Sequence, residues 1–201
     1  IIFSLLFIPN AVLSYIFFGL RYPSSFYIGS SISIAGIAIL FMDRLPPNLV
    51  DRDDFYFGIL FSILALLFTS AANVLQTTKI ARRIDLMALL FWSMLIATVF
   101  NGLLALVISG LPSIDLTFNL ALGLSYLTVI GTVIGFFLYI ELTRSIGAAK
   151  AGYVGVIVPV IAMVLSSIFE GFQWSAYSII GSAIALSGML FALKDKELNK
   201  G

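Results

Sequence analysis

Long apolar runs, broken by short stretches that collect proline, glycine and charge, fill the chain as far as residue 193. A bilayer core about 30 Å thick is crossed by roughly 20 residues of helix. Seven runs of that order are present: A, 1–18; B, 26–42; C, 55–78; D, 86–109; E, 118–143; F, 148–169; and G, 176–193. They are continuously apolar, whereas barrel strands alternate apolar and polar over about ten residues, so helices are predicted. The expected fold is an all-α, polytopic helical membrane protein. Turns such as 19–25, with Pro23, and 110–115, with Pro112, join the spans. The exception is 43–54 (DRLPPNLVDRDD), where two prolines and six charges predict a linker between two halves.

Composition agrees with this pattern. Mean hydropathy is +1.11, and 10% of residues are charged, where a soluble domain has about a quarter. A net charge of +1 at scattered positions gives no basic patch for a nucleic acid. Cysteine and histidine are both absent, which removes disulfides, thiol nucleophiles, imidazole bases and the usual zinc ligands, and no cofactor is implied. Serine–histidine and HExxH membrane proteolysis are excluded with them, and phosphate-binding glycine loops are missing. An enzyme is therefore not expected. Span G has no mid-span lysine for a retinal Schiff base. A non-catalytic structural or receptor-like membrane protein stays open as the alternative to transport.

Lysine and arginine favour cytoplasmic loops. With the A–B turn inside, Arg21, Lys79, Arg82, Arg83, Arg144, Lys150, Lys194, Lys196 and Lys200 lie on one side, nine of the eleven basic residues. Arg44 and Arg52 fall on the other, with Asp43, Asp51, Asp53, Asp54, Asp115 and Glu170. The tail, 194–201, is then cytoplasmic. No basic segment precedes Ile1, so a signal peptide is not expected, and the chain reads as part of a longer one.

The strongest sequence feature is an internal repeat. Leu13-Ser14-Tyr15-Ile16-Phe17-Phe18-Gly19 matches Leu165-Ser166-Ser167-Ile168-Phe169-Glu170-Gly171, and Ile28-Gly29-Ser30-Ser31-Ile32 matches Ile180-Gly181-Ser182-Ala183-Ile184 at the same spacing. Gly36 falls on Gly188, and Pro9 lies close to register with Pro159. Spans A–B are thus a copy of F–G. Moving from A to F advances the chain by five spans, an odd number, so the copies cross the membrane in opposite directions. Inverted repeats that enclose a midplane site are a signature of alternating-access transporters. A five-helix unit also predicts three helices ahead of span A, seven of an expected ten being visible. Residues 1–42 would close the first repeat and 55–193 would form the second.

The segment Gly147-Ala148-Ala149-Lys150-Ala151, then Pro159, Phe169-Glu170-Gly171 and Ile180-Gly181 through Gly188, resembles the end of a repeat in the EamA-type drug/metabolite transporters. Pro9, Phe17-Phe18-Gly19, Ile28-Gly29 and Gly36 resemble the same segment of the other repeat, with Phe18 at a position often acidic. The resemblance implies ten helices in two inverted five-helix repeats, of which this chain covers family helices four to ten. It implies carriage of a small metabolite or drug-like solute across a membrane, with a bacterial cytoplasmic (inner) membrane as the expected location. The expected partners are that solute, the lipid bilayer and, as a candidate, a second copy of the chain.

Candidate pathway residues are polar side chains inside spans. Ser62, Thr69, Asn73 and Gln76 form one stripe on C, and two side-chain amides facing hydrocarbon would leave several donors and acceptors unsatisfied. Asn73 and Gln76 are solute contacts or interhelical glue. Asn101 on D is a weaker candidate. Ser125, Thr128, Thr132 and Tyr139 share a face of E beside Gly131 and Gly135, which suits a cavity wall or close helix packing. Pro159 removes a backbone hydrogen bond inside F and frees a carbonyl near Gly155, predicting a kink that is a hinge or a packing feature. Lys150 is a positive-inside anchor or an attractor of anionic groups, and Glu141 is expected to pair with Arg144. Gly29, Ser33 and Gly36 on B, with Gly181, Ala185 and Gly188 on G, predict a helix seam. The resemblance adds that the last helices of the two repeats pack together. No ionisable residue falls at a span centre, so a carboxylate proton relay is not expected, and the solute is uncharged, zwitterionic or amphipathic.

Overall fold

The computed structural model describes residues 2–42, 52–110 and 117–194. Within them a short 3-10 turn, Ile2–Leu5, leads into α1 (Phe7–Phe18), and α2 (Ser24–Met42) follows. Next come α3 (Arg52–Gln76), the short α4 (Lys79–Arg83) and α5 (Leu86–Ser109). Span E is built from α6 (Phe118–Tyr126), a π-helical stretch (Leu127–Ile134) and α7 (Gly135–Ile146). Span F divides into α8 (Ala148–Ala151) and α9 (Val154–Phe169), and α10 (Ala176–Leu193) ends the described part. Among the described residues every regular element is helical, and six helical stretches are long and apolar enough to cross a membrane, with Ile2–Phe18 as a shorter apolar helix. The chain is an all-α polytopic membrane protein. Most of the predicted 43–54 linker, the 111–116 part of the D–E turn and the tail beyond Lys194 lie outside the described residues. The last residues of that linker, from Arg52, already belong to α3.

Side-chain caps fix several helix starts. Thr78, Asp85, Thr117 and Ser175 each accept a hydrogen bond from a backbone N–H three residues on, at the first turns of α4, α5, α6 and α10. Two matched glycines end α1 and follow α9: Gly19 (φ 64°) and Gly171 (φ 69°) both take the left-handed conformation that closes a helix.

The tightest packing is between α2 and α10, along the predicted glycine seam. A Cβ on Gly188 would lie 2.5 Å from the Ser33 nitrogen and 2.6 Å from the Gly29 oxygen; one on Gly181 would lie 2.5 Å from the Leu40 nitrogen. Gly29 is equally close to the backbone of Ala192, and Gly36 to that of Ala185. Positions rise along α2 as their partners fall along α10, so the helices run antiparallel. The contacts are also reciprocal. Gly29 meets Gly188 while Gly36 meets Gly181, and Gly29 meets Ala192 while Leu40 meets Gly181, each pair exchanging its members under the repeat alignment. At the centre Ser33 donates to the Ala185 carbonyl at 3.1 Å, a partner 152 positions away, which is the repeat spacing itself. Small residues let two backbones approach in lipid, where no hydrophobic force drives helices together.

The α1 and α9 segments cross in the same sense. Gly152 packs against Phe7, and Gly155 against Phe3 and Ser4. A buried aromatic knot ties these layers together: Phe7 stacks on Tyr153 (4.4 Å between centroids, planes 5° apart) and Phe26 meets Tyr153 edge-on at 5.9 Å. The Tyr153 and Ser30 hydroxyls hydrogen-bond at 2.7 Å.

Spans E and F are less regular than their apolar patterns predict. In E, the π stretch turns less per residue than an α-helix, so a face drawn at α-helical spacing drifts. In F, the chain tightens between Ala151 and Val154, where Gly155 N–H donates to Gly152 (3.1 Å) and Val156 N–H to Tyr153 (2.9 Å). Leu6 N–H donates to Phe3 in the same way ahead of Pro9 (3.2 Å), so both prolines follow a tightened turn. Pro9 itself sits in the first turn of α1, where its missing N–H costs little, while Pro159 lies inside α9.

Candidate functional site

The polar groups that meet in the interior come from α1, α3, α7 and α8. Asn73 Nδ2, on a side chain only 7% exposed, donates to the Tyr139 hydroxyl at 2.9 Å. Asn10 is fully buried and its Nδ2 donates to the Ala148 carbonyl at 2.8 Å. Thr143 Oγ1 donates to the Tyr139 carbonyl at 2.8 Å. Ser70, one turn before Asn73 on α3, is fully buried. The cluster lies toward the end of α3 that leads into the basic α4: Asn73 is three residues before Gln76, the last of α3.

Two atoms in this neighbourhood have unspent hydrogen-bonding capacity. Asn10 Oδ1 and Ser70 Oγ are buried without a partner. In a low-dielectric interior such atoms cost about 1–3 kcal/mol each. Chemically, the arrangement can accept hydrogen bonds from a neutral or zwitterionic group; it holds no carboxylate, thiol or imidazole. No group of histidine, cysteine, aspartate and glutamate that could hold a metal occurs among the described residues.

The candidates read from sequence divide clearly. Asn73 and Tyr139 come together, although sequence spacing assigns them to separate stripes. Gln76 lies just beyond, its Oε1 accepting from Arg144 Nη2 at 3.1 Å. Thr69, Asn101 and Ser125 each hydrogen-bond a carbonyl one turn back in their own helix (2.8 Å in each case), and Thr132 reaches Leu127 across the π turn at 3.2 Å. Of the four residues predicted to share a face of E, Ser125 and Thr128 are exposed and Thr132 and Tyr139 are partly buried. Lys150 is partly buried in α8. Arg144 is engaged by Gln76, Ala81 and Ile84 rather than by the expected Glu141.

Pro159 lies elsewhere, lining a cleft of about 440 Å³ with Leu40, Phe41, Met163, Ser166 and Glu170. The cleft follows α9 toward its C-terminal end, the face opposite the buried cluster. Asn10 and Ser70 are the residues that sequence reasoning underweighted. Asn10 could be found as an amide one residue after Pro9; Ser70 adjoins Thr69 on α3, and nothing in the sequence separates its buried hydroxyl from its neighbour's exposed one.

Comparison with known proteins adds one match. The profile of a family described as the EamA-like transporter family matches residues 56–194, more than half of the chain. No curated protein and no solved structure matches it.

Proposed function

The chain belongs to the EamA-like transporter family, and from that premise we propose that it carries a small solute across the membrane by alternating access between two inverted repeats. Residues 1–42 are the end of the first repeat, 43–54 the linker and 55–193 the second repeat. The observation that carries this reading is the reciprocal α2–α10 seam. An antiparallel contact that exchanges its members under the repeat alignment is what a two-fold axis through Ser33 and Ala185 produces. Because both helices are long enough to span the bilayer, such an axis lies in the membrane plane, and a site between the halves can open to each side in turn.

The solute path runs past Asn73, Tyr139, Asn10 and Ser70. The unspent Asn10 Oδ1 favours a solute with an N–H or O–H donor, the Ser70 hydroxyl can donate or accept, and the lack of a carboxylate there favours an uncharged or zwitterionic solute. The Pro159 cleft is the approach from the opposite face, with Pro159 inside α9 as a hinge. The positive-inside distribution supports a cytoplasmic C-terminus, and the family supports a bacterial inner membrane as the setting.

A screen for solutes that raise the unfolding temperature, followed by flux in proteoliposomes, tests the reading. Uptake of a stabilising solute is expected to proceed at the same rate with and without an imposed pH gradient. Acid-driven uptake abolished by a single substitution in residues 1–201 would overturn the uncoupled mechanism, and stabilising solutes that never cross the membrane would overturn transport.

A further inference from the structure

Arg144, near the end of α7, carries a full positive charge and meets only neutral acceptors. Nη2 donates to Gln76 Oε1 (3.1 Å) and to the Ala81 carbonyl (2.9 Å), and Nη1 to the Ile84 carbonyl (3.5 Å). Nε is buried and has no acceptor among the described residues. A guanidinium has five N–H donors and does not lose its charge in proteins. Among the described residues no carboxylate pairs with it. Glu141, three residues before it, is exposed, and Asp85, which follows Ile84, spends its carboxylate capping α5 at the Ala88 N–H (2.8 Å).

The short α4 that Arg144 grips adds an unusual surface. It joins the ends of two membrane-spanning helices, so it lies at the membrane–water boundary. Lys79, Arg82 and Arg83 are exposed on it. So are Ile80 (77%) and, at the extended residue that ends α4, Ile84 (46%). Basic groups beside exposed aliphatic groups at that depth match the junction between lipid phosphates and acyl chains.

We propose that this corner, formed by α3, α4 and α7, is a docking seat for an anionic phospholipid. Arg144 is the fixed cation for the headgroup phosphate, Arg82 and Arg83 flank it, and Ile80 and Ile84 enter the acyl region. Charge complementarity selects an anion, and the isoleucine pair selects a lipid over a free phosphate, for which exposed aliphatic groups have no use. The seat would anchor the α3–α5 connection on the face nearest the buried polar cluster.

The test uses the full chain in phosphatidylcholine vesicles doped with spin-labelled phosphatidylglycerol or spin-labelled phosphatidylcholine, comparing the motionally restricted fractions. The wild type is expected to prefer phosphatidylglycerol by about fivefold or more, since one basic side chain near a surface is worth roughly that factor. Arg82→Gln with Arg83→Gln, both exposed and remote from the core, should lower the preference, leaving the share that Arg144 supplies. Arg144→Gln should lower it, and Arg144→Lys should restore part of it. Arg21→Gln removes a charge from another turn on the same side and should change nothing. Equal loss with Arg21→Gln would mean diffuse surface charge and would overturn the seat. So would an unchanged preference in the Arg82/Arg83 variant, or displacement of the labelled lipid by inorganic phosphate alone.

Discussion

Replacing Gly188 with valine is expected to unfold the contact between α2 and α10 and to destabilise the protein by about 3 kcal/mol, the upper end of what overpacking usually costs. The reason is that the obstructing atoms are backbone. A Cβ at this position meets the Ser33 nitrogen at 2.5 Å and the Gly29 oxygen at 2.6 Å. A crowded side chain could turn aside; two helical backbones can only separate, and separation also breaks the Ser33–Ala185 hydrogen bond. Gly36→Val should cost a similar amount, because it brings the same clash at the aligned position, against Ala185. Gly102→Ala and Gly123→Ala are the controls, since nothing lies within 4 Å of a Cβ at either site. Thermal unfolding in detergent reads all four. A Gly188 variant that melts with the controls would contradict the close seam.

The second large effect is expected on flux. Tyr139→Phe removes the hydroxyl that accepts from Asn73 Nδ2 and leaves a nearly buried amide unpaired, a loss of about 1–3 kcal/mol where the pair is formed. If the pair shapes the solute path, uptake per folded molecule should fall by about tenfold, the rate equivalent of roughly 1.4 kcal/mol. Asn73→Ala should do the same, and the double variant should be no worse than either single one, because both remove one interaction. Asn101→Ala and Ser125→Ala should leave uptake unchanged, as these side chains bond only their own helices. Full uptake in Tyr139→Phe, with the protein folded, would contradict this assignment.

The parts of the fold that could be read from sequence are those set by hydrophobic length and by small residues. Spans D and G begin where their apolar runs do, because Asp85 and Ser175 cap them at a polarity boundary. The seam was legible because small residues four and three apart, bounded by glycines, have few uses in lipid besides close approach. The π stretch in E was not, since Leu127–Ile134 is as apolar as any α-helix and its wider turn depends on tertiary context. That drift is why Ser125 and Thr128 lie outside while Tyr139 turns inward. Asn73 was recognisable as a costly amide within a span. Its partner was not, because the pairing of α3 with α7 is a long-range contact with no local signal. The same limit explains Arg144: three residues after Glu141, it follows a local rule for pairing, yet three acceptors at the end of α3 and around α4 outcompete one exposed carboxylate.

If the two copies cross the membrane in opposite directions, the lack of native cysteine lets single labels report it. Ser24 and Ala176 are aligned positions at the starts of α2 and α10, and both are exposed. Single Ser24→Cys and Ala176→Cys variants, reacted in oriented membranes with an impermeant maleimide, report which face each helix enters. Labelling from opposite faces is predicted, with Ser24→Cys reached from the cytoplasmic side and Ala176→Cys from the other; labelling of both from one face would contradict the inverted arrangement.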